Sequence, residues 1–223
     1  MLHLYGIVES QDRGDGAGLD GEPLVSIPCG DVVAIASEHA RPLDSTPVEE
    51  ALWEHERVLE ALLESGSVLP VRFGVRFAGR EELRAEVEPR SPQFAAALAQ
   101  VRGRVELSVR LLALGDREPP PGPEDAGPGA RYLLGRLEER RDAARKLELV
   151  RSRLGPLAVA ERSQLLPRPG TPASAAFLVE RPALEHFQRK AHELAQDFED
   201  VALVCTGPWP PYNFVDEPVA GPA

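Results

Sequence analysis

Cysteine, lysine and aromatic side chains are all scarce in this 223-residue chain, and each shortage excludes something. The two cysteines, Cys29 and Cys205, are far apart and form neither a C-x-x-C pair nor a disulfide framework. Both end apolar, strand-like runs, which makes buried, reduced thiols the expectation. Lys146 and Lys190 are the only lysines, so arginine carries nearly all the positive charge. That charge is outweighed: the formal net charge is −11, which disfavours a phosphate backbone and hence a nucleic-acid partner. No apolar run approaches the roughly 20 residues of a membrane-spanning helix. The start, Met1-Leu2-His3-Leu4-Tyr5-Gly6-Ile7-Val8, lacks the basic region and cleavage site of a signal peptide. A cytoplasmic protein with no membrane association is expected.

What is present is the patterning of an α+β protein. Leu2–Val8 reads as a first strand, followed by a Gly- and Asp-rich mobile loop over Ser10–Gly21. Leu24–Ile27 and Val32–Ala36 form a hairpin around Pro28-Cys29-Gly30-Asp31. Thr46-Pro47-Val48-Glu49 combines a cap, a proline at the first helical position and a capping-box carboxylate. The helix it starts places Leu52, His55, Leu59, Leu62 and Leu63 near one face and ends at Ser65-Gly66. Val71, Phe73, Val75 and Phe77 then alternate with Arg72, Gly74 and Arg76, which predicts one half-buried strand over Val68–Phe77. Two short helices follow over Glu81–Val87 and Pro92–Val101, and a strand over Val105–Leu111.

Asp116–Gly129 is a Pro/Gly/acid stretch without an apolar anchor, read as a linker or disordered insertion. A charged helix over Arg131–Leu154 is expected to pack through Leu133, Leu137, Ala144, Leu147 and Leu154. The run Glu138-Glu139-Arg140-Arg141-Asp142 reads as a solvated face with helical ion pairs. A short strand near Gln164–Leu166, a strand over Ala175–Val179, a helix from Pro182 and a strand over Val201–Cys205 complete the second half. The order β-α-β-β-α-β is that of a ferredoxin-like domain. Two domains are therefore expected: 1–102, and 103–223 with the Pro/Gly-rich insertion inside it.

The chemical motifs fail one by one. Gly16-Ala17-Gly18-Leu19-Asp20-Gly21 fits G-x-G-x-x-G, but Glu22-Pro23-Leu24-Val25 cannot open the helix that a pyrophosphate needs. His55-Glu56-Arg57-Val58-Leu59 and His192-Glu193-Leu194-Ala195-Gln196 begin like zinc-protease helices, yet Leu59 and Gln196 stand where the second histidine must be. His55 is expected to be packed or half-exposed, and His186 and His192 solvated. Cys29 or Ser26 would need a nearby base to act as a nucleophile, and nothing points to one. No catalytic residue, metal ligand or cofactor site is assigned, and protein binding is favoured over catalysis. A small-molecule-sensing ferredoxin-like module is the alternative, by analogy of fold.

The C-terminal tail stands apart. Trp209, Tyr212 and Phe214 concentrate aromatic surface, and Pro208, Pro210 and Pro211 stiffen the backbone that carries them. Such a strip can fold back on its own protein or present anchors to a partner.

Four segments, in order, carry a resemblance: Leu4-Tyr5-Gly6-Ile7-Val8, Val68-Leu69-Pro70-Val71-Arg72-Phe73-Gly74, Ala176-Phe177-Leu178-Val179, and Cys205-Thr206-Gly207-Pro208-Trp209-Pro210-Pro211-Tyr212-Asn213-Phe214. Through them the chain resembles the gas vesicle GvpL/GvpF family, with Val75-Arg76 departing from its pattern. The resemblance implies two α+β domains, the second modified ferredoxin-like. It also implies an accessory role in assembling gas vesicles, with the hydrophobic shell protein GvpA and other accessory gas vesicle proteins as partners. It brings no catalytic residues. Exposed sheet edge or aromatic surface around Phe73, Phe77, Trp209, Tyr212 and Phe214 is the expected contact with the client.

Overall fold

The computed structural model describes residues 1–9, 16–40, 48–114, 127–168, 171–215 and 219. The capping residues Thr46 and Pro47, the first part of the Ser10–Gly21 loop and most of the Asp116–Gly129 stretch lie outside them. The chain divides into two compact units, Met1–Val105 with Trp209–Ala223, and Glu106–Pro208. Sequence reading placed the tail with the second half; its contacts group it with the first.

The first unit is built on β1 (Leu2–Glu9), buried along nearly its whole length. On one side β1 pairs antiparallel with β3 (Val32–Glu38), which forms the expected hairpin with β2 (Leu24–Cys29). On the other it pairs with β4 (Val68–Pro70) and β5 (Arg76–Phe77). The β1–β3 register slips between Leu4 and Gly6, leaving Tyr5 as the extra residue of a bulge. A central strand flanked on both sides reads as a continuous apolar run, and β1 does. The helices α1 (Val48–Ser65) and α3 (Ser91–Val101) pack on β1 and β4, and α2 (Arg80–Val87) packs on β2. Between α2 and α3, Glu88–Arg90 forms one 3-10 turn around Pro89.

The single strand expected over Val68–Phe77 is two short ones. Gly74, at φ 94°, breaks the alternation, and a turn from Arg72 O to Val75 N joins the pieces. Perfect alternation of residue types does not keep a strand straight where a glycine adopts a left-handed conformation. The Gly16–Gly21 segment, expected to be mobile, is anchored instead. Ala17 bridges to Pro23, Leu19–Gly21 forms a 3-10 turn, and Leu19 is buried. The chain then enters β2, so no helix opens here.

The second unit runs β6 (Arg104–Ala113), α4 (Pro128–Leu154), β7 (Ala160–Arg168), β8 (Thr171–Glu180), α5 (Leu184–Ala195) and β9 (Val201–Trp209). Its strands lie in the order β7-β8-β6-β9. Leu107, Val109 and Leu111 of β6 and Ala173, Ala175, Phe177 and Val179 of β8 recur every second position, so they line one face and share one core. Leu147, Val150 and Leu154 of α4 and Phe187, Ala191 and Leu194 of α5 close over it. Lys146, one of the two lysines, joins Asp142 of α4 to Asp200 before β9.

The packing face of α4 differs from the expected one. Ala143, Leu147, Val150 and Leu154 are buried, whereas Leu133, Leu137 and Ala144 are exposed. Twenty-seven residues make a helix of ~40 Å, longer than the ~33 Å of a ten-residue strand, so its first turns overrun the sheet. The solvated charge run does form helical ion pairs, Arg136–Glu139 and Asp142–Arg145.

Candidate functional site

Two groups of residues converge on α1. The first is a buried polar network. His3 and Tyr5 of β1, Ser37 of β3, His39 and His55 of α1 are all within the interior. Tyr5 Oη accepts the Leu19 N–H at 2.7 Å and lies 2.8 Å from Ser37 Oγ, which in turn lies 2.8 Å from His39 Nε2. His39 Nδ1 faces the Asp20 carboxylate at 4.0 Å. The Leu19 N–H thus feeds a run of hydrogen bonds that passes through the Tyr5 and Ser37 hydroxyls to His39.

His55 belongs to the same cluster. Its Nε2 lies 2.9 Å from Val71 O, an acceptor only, so Nε2 carries the proton. Nδ1 then accepts, and His3 Nε2 donates to it at 2.9 Å. Tyr5 stacks on His55 with centroids 5.2 Å apart, and the Phe73 ring lies 5.5 Å from His3 and 5.7 Å from His55. Burial holds the His55 imidazole down to about 4, against a small opposing effect of the Val71 bond. Burial, reinforced by His55, His39 and Arg76, takes His3 to about 3. Both rings are neutral at neutral pH. The sequence reading of His55 as a packed residue holds; it did not anticipate four partners of its network. Their signal is faint, since His3, Tyr5 and Ser37 are merely polar residues within apolar strands.

The second group is the tail. Tyr212–Phe214 forms a 3-10 turn, with Tyr212 N–H bonded to Pro210 O and Phe214 N–H to Pro211 O. Pro210, Pro211 and Phe214 are buried. Tyr212 is half-buried and donates its hydroxyl to Glu56 Oε1 at 2.9 Å. Burial raises the Glu56 carboxyl, with the Tyr212 bond opposing. Trp209 keeps 37% of its surface exposed.

The five predicted contact residues therefore differ in place. Phe77, opposite Leu2, and Phe214 are buried. Phe73 and Tyr212 are half-buried, and Trp209 is exposed. Adjacent residues of α1 hold the two half-buried rings: His55 touches Phe73, and Glu56 touches Tyr212. The sequence reading placed Leu52 on the packed face of α1 and passed over Trp53; both are exposed, as is Val48. A wheel of the helix contains that signal, because Trp53 falls opposite the buried face of Val58 and Leu62.

The cysteines offer no reactive thiolate. Burial pushes both Cys29 and Cys205 up to about 11. Among the described residues no group of three His, Cys, Asp or Glu side chains could hold a metal ion. No helix among them is long and apolar enough to cross a membrane.

Comparison with known proteins gives this arrangement its context. The structure superposes on the crystal structure of gas vesicle protein GvpF from an Anabaena species with a TM-score of 0.79, at 22% identity over 97% of this chain and 96% of that one. GvpF from Microcystis aeruginosa gives 0.78, at 21% identity over 96% and 98%. These establish the mixed helix-and-sheet fold. In sequence, the chain is 28% identical to gas vesicle protein F2 of Halobacterium salinarum and 29% identical to gas vesicle protein L of a Streptomyces strain, covering 96% of this chain and 92% of each relative. The family model described as gas vesicle synthesis protein GvpL/GvpF matches residues 1–216, so the chain belongs to the GvpL/GvpF family and has a gas vesicle-associated role.

Proposed function

We propose that the protein is a non-enzymatic accessory factor that binds the hydrophobic shell protein GvpA and limits its aggregation while gas vesicles nucleate in the cytoplasm. Other accessory gas vesicle proteins are its further partners. The observation that carries this reading is Trp209, a large aromatic side chain exposed beside buried prolines and a tyrosine hydrogen-bonded to α1. An anchor held this way loses little conformational freedom when it docks. A free shell protein that lines gas must expose apolar surface and strand edges, and an acidic partner with a net charge of −11 would keep the complex dispersed.

Trp209, Tyr212 and Phe73 are the contact residues in this reading. Phe77 and Phe214 contribute from within, holding β5 and the tail in place. The fold has two α+β domains, the second modified ferredoxin-like. Its β-α-β-β-α-β order and its strand order β7-β8-β6-β9 support that description.

Coexpression with the cognate shell protein tests the proposal. Copurification, with more shell protein in the soluble fraction, is the expected result. A folded chain that neither binds the shell protein nor changes its solubility would remove the mechanism.

A further inference from the structure

The outer face of α1 combines an exposed anchor with uncompensated charge. Trp53 is 64% exposed; Leu52, the residue before it, and Val48, five before it, are also exposed, but about 100° and 140° around the helix axis from the indole. A tryptophan held so far out of the interior gains nothing from folding alone. The helix carries six glutamates against one arginine, Arg57. Glu49 and Glu50 precede Trp53 by four and three residues, and Glu56 and Arg57 follow it by three and four, so all four surround the indole on the helix surface. Glu56 is engaged by Tyr212, and Glu54 by Arg57 and the Asp20 N–H. Glu49, Glu50, Glu60 and Glu64 are exposed and have no ion-pair partner among the described residues. Three glutamate pairs, 50/54, 56/60 and 60/64, stand four residues apart, a spacing at which like charges repel. The face is therefore a single exposed indole set among carboxylates that repel one another.

We infer that this face of α1 docks a basic, amphipathic helix of a protein partner, with Trp53 as the anchor. Positive residues flanking the partner's apolar stripe meet Glu49, Glu50 and Glu60, and the stripe covers the Trp53 indole. Charge of this sign excludes nucleic acid and anionic lipid surfaces as occupants. Eighteen residues of α1 give ~27 Å of helix, enough for about five turns of a helix laid along it. The inference extends the partner-binding reading and does not depend on which protein the tail holds.

The test is calorimetric titration of the full chain with a synthetic leucine/lysine helix about 18 residues long, leucines on one face. A peptide of the same composition with the leucines scattered around the helix is the comparison. The expected result is binding that weakens with added salt, and that falls about tenfold or more for the scattered peptide and for the Trp53→Ala variant. The Glu50→Gln/Glu60→Gln double variant, whose changes are at exposed sites and leave the fold intact, should also bind more weakly. Equal binding of both peptides, or unchanged binding by either variant, would overturn the inference. So would sedimentation showing that the wild type pairs with itself and the Trp53→Ala variant does not, since the face would then belong to a second copy. Trp209→Ala should keep peptide affinity, which separates this face from the tail: a wild-type chain that binds the peptide but not the shell protein sinks only the earlier reading.

Discussion

His3 Nε2 lies 2.9 Å from His55 Nδ1 in the interior of the first unit, and the bond that His3 donates there needs a neutral His55 to accept it. Protonating His55 at Nδ1 would turn the acceptor into a second donor. Protonating His3 would place a charge beside Arg76 with little water to screen it. Unfolded, both imidazoles take up protons near pH 6.5; folded, they stay neutral to about 4 for His55 and about 3 for His3. The stability they carry is complete above pH 6.5 and is lost as the pH falls toward those values. Each ring contributes a slope of about 1.4 kcal/mol per pH unit within its window. Urea unfolding of the first unit at about pH 7.5 and pH 5 checks this. The wild type should weaken markedly at the lower pH. His55→Gln should be weaker at the higher pH but change less between the two.

Tyr5 links this pair to the hairpin. Its hydroxyl is the acceptor for the Leu19 N–H and the neighbour of Ser37 Oγ, both buried. Tyr5→Phe keeps the ring that stacks on His55 and removes only the oxygen. A buried N–H is then left without its acceptor, a loss of about 1–3 kcal/mol. Denaturant melts should show that drop, and amide exchange at Leu19 should speed up more than exchange in β6, which belongs to the other unit. Equal change in both would mean the hydroxyl acts only through global stability.

Gly6 marks where β1 and β4 approach too closely for a side chain. A Cβ there would stand 2.7 Å from Val68 Cγ2 and 2.9 Å from Leu69 O. The valine tip can rotate, but the carbonyl belongs to the paired strand and cannot yield without breaking register. Gly6→Ala should therefore cost about 1–3 kcal/mol, read from the shift in denaturation midpoint.

Much of this was legible in the sequence because it depends on period. Strands β1, β2, β3, β6, β8 and β9, and helices α1, α4 and α5, follow from spacing of apolar residues. Three features were not. The broken strand at Gly74 hinges on one backbone angle, which residue types do not encode. The exposed first half of α4 depends on how far the sheet extends beneath it, a property of the assembled unit. The His3–Tyr5–Ser37–His39–His55 network joins residues up to 52 positions apart, and only the β1–β3 pairing and the placement of α1 bring them together. The tail was legible as a composition and not as a contact: nothing in Tyr212 alone points to Glu56.

Phe77 and Trp209 separate stability from binding. Phe77 is 2% exposed against Leu2 of β1, so Phe77→Ala leaves a cavity and should cost about 3–5 kcal/mol. Trp209 is more than a third exposed, so Trp209→Ala should cost less than Phe77→Ala, about 2 kcal/mol. If the tail presents an anchor to the shell protein, the effects on function should rank the other way per unit of stability lost. Trp209→Ala should remain folded yet keep less shell protein soluble in the coexpression assay. A more conservative change, Phe77→Leu, should lose part of the stability and leave the soluble fraction of shell protein unchanged at a temperature where the chain is folded. Circular dichroism on each purified variant sets that temperature. A Trp209→Ala protein that is folded and still protects the shell protein fully would move the contact away from the tail.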